Sequence, residues 1–114
     1  MLFRSTRTLE THILESAGYD VRVASDGRQA LEVLRADPVD VVVSDIEMPR
    51  LDGIGLTAAM RDDARLADIP IILVTSLASE DDRRRGLAAG ARAYVVKSRF
   101  DQDELLGLVR SFLP

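Results

Sequence analysis

Val39-Asp40-Val41-Val42-Val43-Ser44-Asp45 is the stretch that decides the fold. It is valine up to Ser44 except at Asp40, and it stops on a carboxylate. A run this short, apolar and β-branched reads as a strand buried on both faces, over 39–44. Two later runs have the same form. Pro70-Ile71-Ile72-Leu73-Val74 stops at Thr75-Ser76, predicting a strand over 70–75, and Ala93-Tyr94-Val95-Val96 stops at Lys97, predicting one over 93–97. Helical spacing separates the three, so the strands run in one direction and their carboxyl ends share an edge. In open α/β sheets that edge is where ligands bind. The sequence thus gathers the carboxylate of Asp45, the hydroxyl of Thr75 and the ammonium of Lys97. An acid, a donor and a cation suit the handling of a phosphoryl group on the acid.

Outward from this centre the pattern alternates. Leu9, Ile13, Leu14 and Ala17 mark a first helix that ends at Gly18, and Tyr19–Ala24 alternates as a strand. Ser25-Asp26-Gly27 reads as a turn. Ala30, Leu31, Val33 and Leu34 form a second helix, stopped at Asp37-Pro38. A loop over 47–53 precedes a third helix carrying Ile54, Leu56, Ala59 and Met60. Ser79 with Asp82 three residues on starts a fourth helix that ends at Gly90. Asp101 is placed to cap a fifth, lined by Leu105, Leu106, Leu108, Val109 and Phe112. A doubly wound domain usually opens on a strand. This chain opens on a helix, and Met1-Leu2-Phe3 is too short to read as one.

The 114 residues fit one domain, expected to span 1–114. A chain of this size buries roughly two-thirds of its unfolded surface. The net charge of −4 argues against a nucleic-acid partner, which needs a basic face. There is no cysteine, hence no disulfide framework or thiolate metal site. No apolar run approaches a membrane span, and no signal-peptide core opens the chain, so the expected compartment is the cytoplasm. Arg83-Arg84-Arg85 reads as a helix face balanced by Glu80-Asp81-Asp82. No Ser/His/Asp triad, metal-spaced histidine cluster or glycine-rich phosphate loop is present.

The segments Ser44-Asp45-Ile46-Glu47-Met48-Pro49-Arg50-Leu51-Asp52-Gly53, Val74-Thr75-Ser76 and Ala93-Tyr94-Val95-Val96-Lys97 resemble the receiver domain of two-component response regulators. Thr6-Arg7-Thr8-Leu9-Glu10, Thr75-Ser76-Leu77-Ala78-Ser79, Asp82-Arg83-Arg84-Arg85-Gly86-Leu87 and Phe100-Asp101-Gln102 look most like the C-terminal receiver of chemotaxis-type hybrid histidine kinases. The resemblance implies a flavodoxin-like fold, five parallel strands in order 2-1-3-4-5 with five helices. It implies that Asp45 accepts a phosphoryl group from a histidine kinase phosphotransfer partner. Thr75 and Ser76 would bind the phosphoryl oxygens and Lys97 would pair with their charge. Tyr94 would turn inward when Thr75 moves, and Gly53 would close the loop after the acceptor. Mg²⁺ would bind Asp45 and the backbone carbonyl of Glu47. Beyond self-phosphotransfer and autodephosphorylation, no enzyme activity is implied.

Three departures qualify the resemblance. Receivers carry two acids just after the first strand; spacing back from Arg7-Thr8-Leu9-Glu10 puts that pair near Met1-Leu2, and neither is acidic. The expectation is therefore a receiver missing its first strand and acidic pair through truncation of its amino terminus. Its Mg²⁺ binding would be weak or absent, and its open edge would dimerise or draw Tyr19–Ala24 next to Val39–Ser44. Secondly, Lys97 is followed by Ser98 where the family has a cis-proline. Thirdly, Glu47 puts a long carboxylate two residues past the acceptor, within reach of metal, water or Lys97. Two other functional classes stay open: a non-phosphorylated pseudo-receiver acting as a protein-interaction module, and a small α/β phosphatase. No second general acid or base near Asp45 supports the phosphatase.

Overall fold

Helix-forming stretches with good caps alternate with valine- and isoleucine-rich runs, and each becomes an element. In a computed structural model they follow the order β1 (Leu2–Phe3), α1 (Leu9–Ser16), β2 (Val23–Ala24), α2 (Gly27–Ala36), β3 (Val42–Asp45), α3 (Gly53–Arg61), β4 (Ile71–Thr75), α4 (Glu80–Ala89), β5 (Ala93–Val96) and α5 (Gln102–Phe112). The structure describes residues 2–3, 9–37, 39–47, 50–75, 79–96 and 102–113, with side chains from Ile13 onward. Asp26, Asp52 and Ser79 cap α2, α3 and α4 by accepting from the amides of Gln29, Gly55 and Asp82. Gly90 ends α4 at φ 118°, and Gly18 follows α1 at φ 93°, both in the left-handed region that glycine tolerates. The capping role expected of Asp101 falls outside the described residues.

The sheet is parallel throughout, in the order β2-β1-β3-β4-β5. The expected doubly wound architecture is present, but the expectation of a missing first strand is overturned. Leu2 pairs with both Val23 and Val43, and Phe3 with both Ala24 and Ser44. Two residues show no side-chain period, yet flanking strands on both sides supply partners for their backbone groups. The proposed shift of Tyr19–Ala24 beside Val39–Ser44 is overturned with it, because β1 separates β2 from β3.

Strand lengths are set by their neighbours rather than by the apolar runs. β2 is paired only over Val23–Ala24, since β1 offers two residues; Tyr19 and Val21 instead pack against the core of the α1 and α5 face. Val39–Val41 likewise precede β3, whose ladder with β4 starts at Val42 opposite Ile71. Along β4 the side chains alternate. Ile71 and Leu73 join Leu34, Leu56 and Met60 on the face covered by α2 and α3, while Ile72 and Val74 join Leu14, Leu105 and Val109 under α1 and α5. Burial on both faces is the reason the run is continuously apolar.

Candidate functional site

β3 and β4 stop side by side at the carboxyl edge. Asp45 is the last residue of β3 and pairs in register with Val74; Thr75, the last of β4, pairs with Val96. Asp45 is 5% exposed and Thr75 fully buried. The chain leaves β3 through Ile46, whose amide donates to the Val74 carbonyl at 3.0 Å. Glu47 then comes back over the edge, and its Oε1 accepts from Thr75 Oγ1 at 2.5 Å. This contact was not among those foreseen for Glu47. Ser76 and Lys97, the other expected phosphoryl ligands, lie outside the described residues, as do Met48, Pro49 and Ser98.

Backbone hydrogen bonds fix the two ends of the segment that follows Asp45. The Gly53 amide donates to the Ile46 carbonyl at 2.9 Å, and a Cβ at Gly53 would collide with the carbonyl oxygen of Asp45. Only glycine lets α3 begin this close to the end of β3. A second stitch joins the neighbouring loop. The Gly27 amide donates to the Leu51 carbonyl at 3.1 Å, and a Cβ at Gly27 would strike that same oxygen. Asp26, buried beside it, faces the Arg50 guanidinium at 3.5 Å, with Arg50 at φ 67°. The sequence marks Asp26-Gly27 as a turn; its contact with Arg50 and Leu51 after Asp45 depends on the tertiary fold and has no local signal.

Tyr94, the expected switch aromatic, is half-buried in β5 and packs against the core under α2 and α3. Its hydroxyl lies 3.5 Å from the carbonyl of Ser79. Burial pushes its phenol above the ordinary value of 10.0, and the negative charges of Asp82 and Glu47 push the same way. The influence of the Glu47 charge places Tyr94 within the electrostatic reach of the site.

Among the described residues the donor set does not fit a magnesium ion. Among the described residues no group of three or more histidine, cysteine, aspartate or glutamate side chains could hold a metal. Residues 1–8 contain no acid at all. Leu2 and Phe3 lie opposite Val43 and Ser44, inside the ladder and short of Asp45. In sequence the residues after Phe3 are Arg4 and Ser5, outside the described residues and not acidic. A hard dication takes several oxygen ligands, carboxylates foremost. Among the described residues the ends of β3 and β4 offer Asp45 and a Glu47 carboxylate already engaged by Thr75. A cavity of about 250 Å³ walled by Leu14, Tyr19, Arg22, Val39 and Val109 lies beside residues that precede β2 and β3, away from this edge.

The model of the family described as response regulator receiver domain matches residues 4–110. The chain belongs to that family. Its receiver fold is shared with the chemotaxis protein CheY4 of Vibrio cholerae, at a TM-score of 0.86 and 30% identity over 98% of this chain and 97% of that one. The receiver domain of the sensor histidine kinase PA1611 of Pseudomonas aeruginosa, solved with magnesium in its active site cleft, is similar at a TM-score of 0.85 and 28% identity, over 97% of this chain and 94% of that one. In sequence this receiver is 37% identical over 99 residues to a gliding motility regulatory protein of Myxococcus xanthus, covering 87% of this chain and 13% of that protein. It is 44% identical over 107 residues to a probable transcriptional regulator ycf27 of Guillardia theta, covering 94% of this chain and 40% of that protein. The chain therefore spans less than half the length of these curated relatives. No helix among the described residues is long and apolar enough to cross a membrane.

Proposed function

We propose that residues 1–114 act as one phosphoacceptor domain, taking a phosphoryl group from a histidine kinase phosphohistidine onto Asp45 in the cytoplasm. The observation that carries this is the adjacency of Asp45 and Thr75 at the ends of neighbouring parallel strands. A carboxylate oxygen of Asp45 attacks phosphorus. The P–N bond breaks, its electron pair returns to the imidazole, and the ring leaves neutral when its other nitrogen carries a proton. Such transfers depend on positioning and on neutralising charge at the equatorial oxygens. Thr75 and Ser76 serve as hydroxyl donors to those oxygens, Lys97 as the cation, and Tyr94 as the aromatic that follows Thr75. No step runs through a metal, because the residues present do not suit one.

Chemotaxis-type signalling within a hybrid histidine kinase is the narrower proposal. The likeness to CheY4 and to the M. xanthus gliding motility regulator, of which this chain covers a small part, supports it. The likeness to ycf27 regulators supports a transcriptional output instead. A homodimer through the edge of Val39–Ser44 loses its premise, since β1 occupies the place between β2 and β3. One observation favours a second reading, the non-phosphorylated interaction module: the acids that would hold a metal are absent from residues 1–8. Phosphorylation by acetyl phosphate and phosphoramidate, read by intact mass, separates the two. Labelling of the chain that disappears in Asp45→Asn is expected. Equal labelling of Asp45→Asn rejects the acceptor, and no labelling of either protein supports the interaction module.

A further inference from the structure

The geometry points to Glu47 as a positioning residue that holds the switch hydroxyl in the unphosphorylated protein. Its carboxylate must release Thr75 before Asp45 takes a phosphoryl group. This rests on the acceptor reading and adds to it a residue that controls access to the site.

Thr75 is fully buried, and its Oγ1 donates to Glu47 Oε1 at 2.5 Å. A hydroxyl donating to a carboxylate makes a short, strong, charge-assisted bond. The hydroxyl has one proton to donate. While it is given to Glu47, it is not given to a phosphoryl oxygen. The carboxylate thus stands where an anionic oxygen of the phosphoryl group would be received, two residues past the nucleophile on the same loop. The loop is not free to carry Glu47 away as a whole, since Ile46 is tied to Val74 and to Gly53 by backbone hydrogen bonds. Release therefore falls to the side chain of Glu47 itself. Tyr94 would feel the change, because the Glu47 charge contributes to holding its phenol neutral.

Removal of the carboxylate should then help an anionic donor to bind, with less effect on the chemical step. The reaction read is transfer from acetyl phosphate. An Asp45 oxygen bonds to phosphorus, the bond from phosphorus to the acetyl oxygen breaks, and acetate leaves with the electron pair. In Glu47→Ala the acetyl phosphate concentration giving half-maximal rate should fall about fivefold, the effect of removing one nearby like charge. The maximal rate should change less than about twofold. Glu47→Gln, which keeps an acceptor and drops the charge, should lie between. In a Thr75→Ala background the gain from Glu47→Ala should shrink, since part of it acts through that hydroxyl. Urea unfolding of the same four proteins gives a readout free of phosphorylation. The double-mutant cycle should show non-additivity of roughly tenfold in the unfolding constant, as for a hydrogen bond to a charged group. Additive stabilities, or an unchanged half-saturation in Glu47→Ala, overturn the proposal. If no variant is labelled, the acceptor reading fails, and the unfolding cycle still decides whether Glu47 holds Thr75.

Discussion

Gly53, which opens α3 after Asp45, shows how much one missing Cβ does here. At Gly53 the added carbon would meet the main-chain oxygen of Asp45, which belongs to a central strand and has no room to yield. At Gly107, on the exposed side of α5, it would meet nothing. Gly53→Ala should therefore cost about 2–4 kcal/mol in urea unfolding, the range for forced backbone displacement in a packed site. Gly107→Ala should add about 0.5–1 kcal/mol by raising helix propensity. At this scale the sequence was partly legible. Asp45 and Thr75 could be placed because each ends an apolar run, and a parallel sheet brings such ends together. The hydrogen bond between Glu47 and Thr75 could not be read, because spacing along a loop says nothing of where a long side chain turns.

Among the elements, caps and ion pairs divide the labour. Helix starts were readable at Ser79-x-x-Asp82 because a capping side chain and its amide lie three residues apart. The three ion pairs that follow on α4, Glu80–Arg83, Asp81–Arg84 and Asp82–Arg85, are exposed and worth little each. They account for the arginine run without any nucleic-acid partner. The link after α3 is more telling. Asp63 accepts from the Arg65 amide at 2.9 Å and from Arg35 of α2 at 3.3 Å. The backbone hydrogen bond from Arg65 holds its carboxyl below the usual 3.8, desolvation opposes this, and Arg35 reinforces it. A lowered carboxyl stabilises the fold above its unfolded value, and this contribution is lost as pH falls through the folded one. Asp63→Asn should accordingly lower stability slightly at neutral pH and flatten the acid limb below about pH 4, the two proteins converging at low pH. Acid-induced unfolding monitored by circular dichroism checks this. A mutant limb as steep as that of the parent would count against it. β2 and β3 were read too long for a reason that also belongs here: a strand lasts as long as its neighbour, and apolar valines continue past the ladder to pack against helices.

At the scale of the molecule, two cores flank one sheet, and the donor set at its carboxyl edge is short of acids. Calorimetric titration with Mg²⁺ should show binding at least about tenfold weaker than in a receiver with the acidic pair. An affinity equal to such a receiver would mean that ligands come from residues with no carboxylate to give. Of the two shortest strands, β1 lies inside the sheet, holding β2 with two residues while β3, β4 and β5 share ladders of four pairs each. The consequence is a seam. Local opening follows the line of fewest hydrogen bonds and thinnest packing, so β1 and β2 should detach as a sub-global unit while β3–β5 stay closed. Native-state hydrogen exchange should then find Val23 and Ala24 opening at a free energy well below that of Val43 and Ile72, with the two groups merging only near the denaturation midpoint. A receiver built this way would keep the strand that ends on Asp45 inside the persistent unit and have, beside it, a part that comes away first.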